Sequence, residues 1–203
     1  MKIICIGRNY KEHIKELNSP IPSEPVFFMK PDSSLLLGDK PFFLPEFSKE
    51  IHHEVEMVVK INRIGKNIDK QFAHRYYNEI TAGIDFTARD LQNKCRKEGN
   101  PWEIAKAFDG SAVLGKFLSL LLFGDIKKIS FHLNVNDKTV QQGNTADMLF
   151  DVDSIISYVS QFITLKIGDL IFTGTPAGVG PVAVNDHLEG FIEDRKVFDI
   201  VVK

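Results

Sequence analysis

Short runs of apolar residues, separated by polar residues, glycines and prolines, recur along the whole chain. This pattern predicts β-strands over residues 2–6, 25–30, 41–45, 51–61, 79–84, 131–135, 139–142, 188–192 and 197–202, with a further strand within 165–182. Helical spacing predicts helices over residues 10–17, 70–78, 86–97 and 152–162, the first of them capped by Asn9. Because strands outnumber helices and do not alternate with them regularly, we expect one strand-rich α+β domain over residues 1–203.

The charge balance excludes few functions but disfavours a polyanionic partner. The chain has 25 lysines and arginines against 27 acidic residues and no basic block, so we expect no nucleic-acid partner. No apolar run approaches the roughly 20 residues that cross a bilayer, and the first residues lack the long apolar core of a signal peptide. We therefore expect a cytoplasmic protein without a membrane contact.

Two acidic residues interrupt the apolar run IHHEVEMVV at positions 51–59. On a strand, Glu54 and Glu56 point to the same side, where two ionised carboxylates repel and are costly to bury without a partner. A divalent cation would remove the repulsion. On this pattern alone, the alternative of an exposed edge strand with solvated acids stays open, and it is the simpler one.

Asp85, at the end of the strand predicted over residues 79–84, offers a third carboxylate. An all-oxygen set of ligands suits Mg²⁺ or Mn²⁺, whereas zinc prefers histidine and cysteine. If the following helix begins at Asp85, Arg89 and Gln92 lie on the same helix face as Asp85.

Two further segments carry side chains of chemical interest. His13 and Glu16 lie three residues apart on a polar helix face, where such a pair can activate a water, although a surface pair without function is the more common case. The glycine-rich segment 174–180 includes Thr175, and its backbone N–H groups and hydroxyl are able to bind a carboxylate.

Seven segments, taken together, resemble the fumarylacetoacetate hydrolase superfamily in its single-domain acylpyruvase and oxaloacetate decarboxylase branch. They are GRNYKEH (7–13), PVFFMKP (25–31), HHEVEMVV (52–59), GIDFTARDLQ (83–92), PWEIAKAFD (101–109), QGNTADMLF (142–150) and GDLIFTGTPAGVGP (168–181). The resemblance implies a fold of mixed β-sheets rolled around a metal site, a homodimer, and a short N-terminal lid helix within a lid segment of about residues 9–24.

The same resemblance implies a role for individual residues. Glu54, Glu56 and Asp85 match the ligands of a catalytic Mg²⁺ or Mn²⁺. The remaining matches are the water-activating pair His13 and Glu16, the lysine near the substrate, Lys106, and the substrate-binding positions Arg89, Gln92 and Thr175.

The implied reaction is cleavage of the C3–C4 bond of a 2-oxo acid, which leaves a pyruvate enolate that a metal stabilises as a Lewis acid. For an acylpyruvate, water attacks the distal carbonyl, and for oxaloacetate, CO₂ leaves without water. One alternative is isomerisation or decarboxylation of 2-hydroxymuconate-type diacids, as in 2-hydroxyhepta-2,4-diene-1,7-dioate isomerases. Another alternative is a non-catalytic member of the family that binds a cation for stability alone.

Overall fold

The computed structural model of the protein describes residues 1–37 and 39–203. Its strands in chain order are β1 Ile3–Gly7, β2 Val26–Lys30, β3 Leu35–Leu37, β4 Ile51–His53, β5 Val55–Ile61, β6 Tyr77–Asp85, β7 Thr87–Ala88, β8 Ala112–Leu114, β9 Leu118–Ser119, β10 Ser130–Val135, β11 Lys138–Asn144, β12 Leu170–Phe172, β13 Gly180–Pro181, β14 His187–Ile192 and β15 Arg195–Val201. The α-helices are α1 Lys11–Glu16, α2 Arg89–Glu98, α3 Glu103–Lys106 and α4 Val152–Phe162. Short 3-10 helices cover Asp32–Ser34, Lys70–Tyr76, Leu120–Leu122, Ile126–Lys128 and Thr145–Asp147.

The largest sheet is mixed and has the order β2-β1-β12-β5-β6-β8-β3, with β9 also paired to β6. The β1–β12 and β3–β8 pairs are parallel and the others in this sheet are antiparallel. A second sheet has the order β11-β10-β14-β15, and a third, small sheet has the order β13-β4-β7. The predicted strand-rich α+β fold with mixed sheets is confirmed.

The hydrophobic core lies between the two larger sheets and under helix α4. Central strand β5 is buried on both faces, which explains why its sequence is nearly continuous in apolar residues. Helix α4 buries Ile155, Ile156 and Val159, as its helical spacing predicts. None of the helices within residues 1–37 and 39–203 has the length and apolar character needed to cross a membrane.

The strand predicted over residues 51–61 is broken at Glu54, which separates β4 from β5. At this break the Glu54 carbonyl accepts a hydrogen bond from the Asp85 N–H at 2.9 Å. Strand alternation therefore does not fix the direction of the Glu54 side chain, yet Glu54 still reaches the same site as Glu56. The break brings β4 into the small sheet, beside β7.

Asn9 does not cap the first helix, because its side chain is used elsewhere. Its amide NH₂ donates to the carbonyls of Phe150 and Thr173 at 3.0 and 2.7 Å, and its side-chain oxygen accepts from the Phe150 N–H at 2.8 Å. Helix α1 has no side-chain cap and begins after Tyr10. Asn9 instead joins the start of the predicted lid segment to two distant parts of the chain.

Three other local predictions are wrong. Residues 41–45 form only an isolated bridge at Phe42, and the segment predicted as a helix over 70–78 is a 3-10 helix that ends before strand β6. The helix predicted over 86–97 begins at Arg89, because the preceding two residues pair with β4 as strand β7.

Candidate active site

Three carboxylates from two neighbouring strands and the break between β4 and β5 meet in one buried cluster. Glu54, Glu56 and Asp85 each offer an oxygen atom, and these atoms all lie within 4.8 Å of one another. All three residues are buried, with 5%, 2% and 1% of their surfaces exposed. The pairing of Glu56 with Gly83 in the β5–β6 register brings Glu56 close to Asp85.

Three buried cations contact this cluster, and two of them, Lys106 and Arg89, bind Glu54. Lys106, at the end of helix α3, donates to Glu54 Oε2 and Asp85 Oδ2, both at 2.7 Å, and to Thr87 Oγ1 at 2.5 Å. Arg89, the first residue of helix α2, pairs with Glu54 Oε1 at 2.5 Å. Lys106 thus has all three of its N–H donors engaged by the described residues, and Glu54 is bound through both oxygens.

The pKa values of Glu54 and Glu56 are shifted in opposite directions. Burial raises the pKa of Glu54, but Lys106 and Arg89 lower it by more, so its pKa lies well below the usual range. Burial raises the pKa of Glu56 far above its usual range, and the nearby Asp85 and Glu54 carboxylates raise it further. Burial lowers the pKa of Lys106, but Asp85 and Glu54 raise it by more, so the ammonium stays charged.

The donor set fits a hard divalent cation. Glu56 forms no ion pair with a described side chain, and burial, together with the Asp85 and Glu54 carboxylates, raises its pKa. Asp85 Oδ1 is buried and has no hydrogen-bond partner among the described residues, although Lys30 Nζ lies 2.7 Å away. Three carboxylates without histidine or cysteine favour Mg²⁺ or Mn²⁺ over zinc. Glu54, Glu56 and Asp85 would be the ligands.

Lys30 is a further member of the cluster that the sequence interpretation did not assign to the site. Its side chain is fully buried behind Asp85 at the end of strand β2, where it donates to the Ser111 hydroxyl and carbonyl at 2.9 and 3.1 Å and to the Lys106 carbonyl. Its only signal in the sequence is a lysine that ends the apolar strand VFFMK. Lys30 therefore binds both the helix α3 terminus and a carboxylate of the cluster.

His13 and Glu16 meet above the cluster on helix α1. His13 Nδ1 lies 2.9 Å from Glu16 Oε2, and His13 is buried and lines the same cavity as the carboxylates. Because a carboxylate only accepts, Nδ1 donates in this pair, and in the neutral ring Nε2 is then the nitrogen that is able to accept a proton. The other Glu16 oxygen accepts from the Gly178 N–H at 3.1 Å, which fastens helix α1 to the glycine-rich segment.

The predicted substrate-binding residues line the same cavity, but they differ in which of their hydrogen-bond donors are still available. The Gln92 side-chain oxygen accepts from Arg89 at 2.5 Å, so its NH₂ group is the end left to donate. The Thr175 hydroxyl donates to the Val55 carbonyl at 2.8 Å and accepts from Gln141 at 2.9 Å. Since this hydroxyl has no hydrogen left, the Thr175 backbone N–H, which donates to no other described residue, is the available donor.

Gln141 is a second residue of this region that the sequence interpretation missed. Its side-chain oxygen accepts from the Val55 N–H at 3.0 Å and lies 2.9 Å from His53 Nδ1. Its NH₂ donates to Thr175 and to the Pro176 carbonyl at 3.0 Å. This buried amide therefore fixes the glycine-rich segment against strand β5.

The structure thus brings all nine sequence-predicted site residues into one region. They surround a cavity that opens to solvent, with about 540 Å³ of space when the open mouth is included. Eight of the nine residues line it, and Glu16 contacts it through His13.

This chain is similar to known proteins over most of its length. It is 41% identical to the mitochondrial oxaloacetate tautomerase FAHD1 of Mus musculus over 191 residues, which cover 94% of this chain and 86% of that protein. It is 40% identical to the mitochondrial oxaloacetate decarboxylase of Dictyostelium discoideum over 207 residues, which cover 100% of this chain and 94% of that protein. Both relatives are enzymes that are named for a reaction of oxaloacetate.

A solved structure extends the similarity. The fumarylpyruvate hydrolase of Pseudomonas aeruginosa, in complex with Mn²⁺ and pyruvate, matches with a TM-score of 0.94 and 32% identity. The match covers 100% of this chain and 89% of that chain. The sequence profile of the fumarylacetoacetate (FAA) hydrolase C-terminal family matches residues 2–203. The chain belongs to the fumarylacetoacetate hydrolase family.

Proposed function

We propose that this protein is a Mg²⁺- or Mn²⁺-dependent enzyme that cleaves the C3–C4 bond of 2-oxo acids, by acylpyruvate hydrolysis, oxaloacetate decarboxylation or both. The observation that carries the proposal is the cavity in which three buried carboxylates and a His13–Glu16 pair face each other. The names of the oxaloacetate decarboxylase and fumarylpyruvate hydrolase relatives support it. The homodimer, the cytoplasmic location and the domain limits 1–203 stay predictions.

The carboxylates Glu54, Glu56 and Asp85 hold the cation in this proposal. When bound, Mg²⁺ or Mn²⁺ supplies Lewis-acid stabilisation of negative charge on the 2-oxo oxygen. The two groups with free donors, the Gln92 NH₂ and the Thr175 backbone N–H, bind the substrate carboxylate together with Arg89.

The lid pair acts on water. His13 Nε2 takes a proton from a water molecule that attacks the distal carbonyl of an acylpyruvate, and Glu16 keeps the ring in the required tautomer. As the C3–C4 bond breaks, the distal carbonyl carbon becomes a carboxylic acid and negative charge develops on the enolate oxygen, beside which the ammonium of Lys106 provides positive charge. The proton that His13 took from water then passes to C3, which completes pyruvate. Decarboxylation uses the same enolate and needs no water, so it depends less on His13.

Keto–enol tautomerisation of oxaloacetate is a second candidate, and the name of the relative from Mus musculus favours it. This reaction moves a proton between C3 and the 2-oxo oxygen without breaking a carbon–carbon bond. The same residues suit it, with His13 as the base at C3. Isomerisation of 2-hydroxymuconate-type diacids likewise moves a proton without breaking a carbon–carbon bond.

The test uses metal-stripped protein with oxaloacetate or acetylpyruvate, with and without added Mg²⁺ or Mn²⁺. Pyruvate is measured with lactate dehydrogenase, and the enol of oxaloacetate by its ultraviolet absorbance. Cleavage predicts metal-dependent pyruvate release that Glu54→Gln abolishes. Faster enol decay without pyruvate selects the tautomerase, and no metal-dependent change with either substrate overturns the proposal.

Glu16→Gln measures the role of the lid pair, and Glu12→Gln is its matched control. Glu12 lies on the same helix but pairs with Lys15 in solvent, with about 70% of its side chain exposed. We expect Glu16→Gln to reduce acetylpyruvate hydrolysis by about 100-fold, the usual scale of general-base catalysis, and Glu12→Gln to leave it unchanged.

A further inference from the structure

Lys30 is a buried lysine to which the proposed mechanism gives no task. It ends strand β2, an edge strand of the largest sheet, and its side chain is 0% exposed. Burial of an ammonium costs several kcal/mol unless charges and hydrogen bonds compensate for it. The compensating partners lie on other segments, at the ends of strand β6 and helix α3 and just before strand β8. Lys30 therefore connects an edge of the sheet to the segments that carry the candidate site.

The contacts of Lys30 close a ring around the backbone of Lys106. Lys30 Nζ donates to the Lys106 carbonyl and, at 2.9 Å, to the Ser111 hydroxyl. That hydroxyl donates in turn to the same Lys106 carbonyl at 2.8 Å. Lys30 Nζ also lies 2.7 Å from Asp85 Oδ1, and Lys106 Nζ lies 2.7 Å from Asp85 Oδ2. Lys106 is thus held at its carbonyl by Lys30 and Ser111 and at its ammonium by the carboxylate cluster.

Helix α3, which ends at Lys106, is too short to fix this lysine by itself. It has only four residues, and no side chain caps its start. A helix of one turn is unstable alone, because its few hydrogen bonds do not offset the conformational entropy lost in forming it. Ile104, on the same turn, is 59% exposed, so this side of the helix is open to solvent. The position of Lys106 therefore depends on the hydrogen bonds to its carbonyl.

We propose that Lys30 is a positioning residue: it fixes Lys106 and Asp85 relative to one another, and so holds the Lys106 ammonium where negative charge develops on the enolate oxygen. This inference rests on the proposed function, since it concerns the same cavity. Lys30 lies behind Asp85, outside the cavity lining, and acts through Lys106 and Asp85, which both line it. A displacement of a reacting group by about 1 Å is enough to cost about 100-fold in rate.

Steady-state kinetics of Lys30→Met test the inference, with Mn²⁺ and either acetylpyruvate or oxaloacetate, at a temperature where the variant is folded. We expect kcat to fall by about tenfold or more and KM to change less than threefold, because the groups that bind the substrate keep their places. Calorimetry with Mn²⁺ alone is a second readout. The affinity for Mn²⁺ should not fall, since the change removes a positive charge beside Asp85 and keeps all three ligands.

Lys2→Met is the matched control. Lys2 pairs with Asp169 at 2.5 Å, with 24% and 1% of their side chains exposed, and both residues lie outside the cavity lining. This change should lower the melting temperature but keep kcat within about twofold. Ser111→Ala keeps the Lys30 charge and removes one donor to the Lys106 carbonyl, so it should lower kcat by about threefold to tenfold, the scale of one hydrogen bond. Ser111→Ala also carries the test if Lys30→Met does not fold.

The outcomes separate this inference from the proposed function. If wild type releases pyruvate with metal but Lys30→Met and Ser111→Ala both keep kcat within about twofold, the positioning role is wrong and the proposed function stands. A higher KM together with a weaker Mn²⁺ affinity in Lys30→Met also overturns it, because Lys30 then supports the whole site rather than Lys106. If wild type releases no pyruvate from either substrate with either metal, the proposed function fails and the inference fails with it.

Discussion

Replacement of Lys30 by methionine should strongly destabilise the metal-free protein. The side chains of Lys30 and Asp85 are 0% and 1% exposed, and their charged atoms lie 2.7 Å apart. Removal of one partner from a buried pair costs about 3–5 kcal/mol, because the other charge stays buried. Asp85 keeps Lys106 as a second partner, so we expect the lower end, about 3 kcal/mol. For a chain of this size that loss lowers the melting temperature by roughly 6–12 °C.

The free energy of unfolding is measured by urea denaturation with a chelator present, at one protein concentration. Lys15→Met is the matched control, because its pair with Glu12 is exposed and should change the free energy little. A double-mutant cycle with Asp85→Asn isolates the pair, and we expect a coupling of about 1–3 kcal/mol. A cost below about 1 kcal/mol for Lys30→Met, or additive effects in the cycle, would refute the argument.

Three further predictions concern neighbouring features. Lys106→Met should raise the affinity for Mn²⁺, measured by calorimetry, by about tenfold or more, because it removes a positive charge that repels the cation beside Glu54 and Asp85. Activity should be lost at the same time, and a weaker affinity for Mn²⁺ would contradict the argument. Asp151→Ala should cost about 1 kcal/mol at pH 7 through loss of the α4 cap. Burial raises the Asp151 pKa, but the Ser154 hydroxyl and N–H lower it by more. The difference in the free energy of unfolding between wild type and Asp151→Ala, measured in urea, should therefore disappear as the pH falls below about 3.8. Gln141→Leu should raise the KM for oxaloacetate about tenfold while kcat changes less, because Thr175 loses its support; an unchanged KM contradicts this.

The sequence predicted the strand-rich fold class, and it offered Glu54, Glu56 and Asp85 as candidates for one carboxylate cluster. The alternation of apolar residues identified most strands, because the residues that face the core recur with the period of the strand or helix that carries them. The acids within the apolar run that includes Glu54 and Glu56 suggested a cation site, but on that pattern alone an exposed strand was the simpler interpretation, and the resemblance named the three ligands. The roles of individual residues came from the resemblance, and they stay proposals.

The local errors arose where long-range bonds outweigh local preference. The Asn9 side chain is a good cap in sequence, but three hydrogen bonds to Phe150 and Thr173 use it fully. Nothing near Lys30 in the chain shows that Asp85, 55 residues away, is its partner. Pairings of this kind depend on how distant strands align in the sheet. A short segment of sequence does not contain that information.

The charge arrangement indicates that a cation bound at this site would serve chemistry rather than folding. A structural ion supplies charge that the chain lacks, and chains that depend on one unfold without it. Here Lys106 and Arg89 already pair with Glu54, and Lys30 with Lys106 flanks Asp85. Only Glu56 has too little compensation, and its raised pKa allows it to be buried as a neutral acid. Most of the charge of the cluster is therefore compensated by the chain itself, and a divalent cation would add a Lewis acid at the point where His13 and the free Gln92 amide also line the cavity.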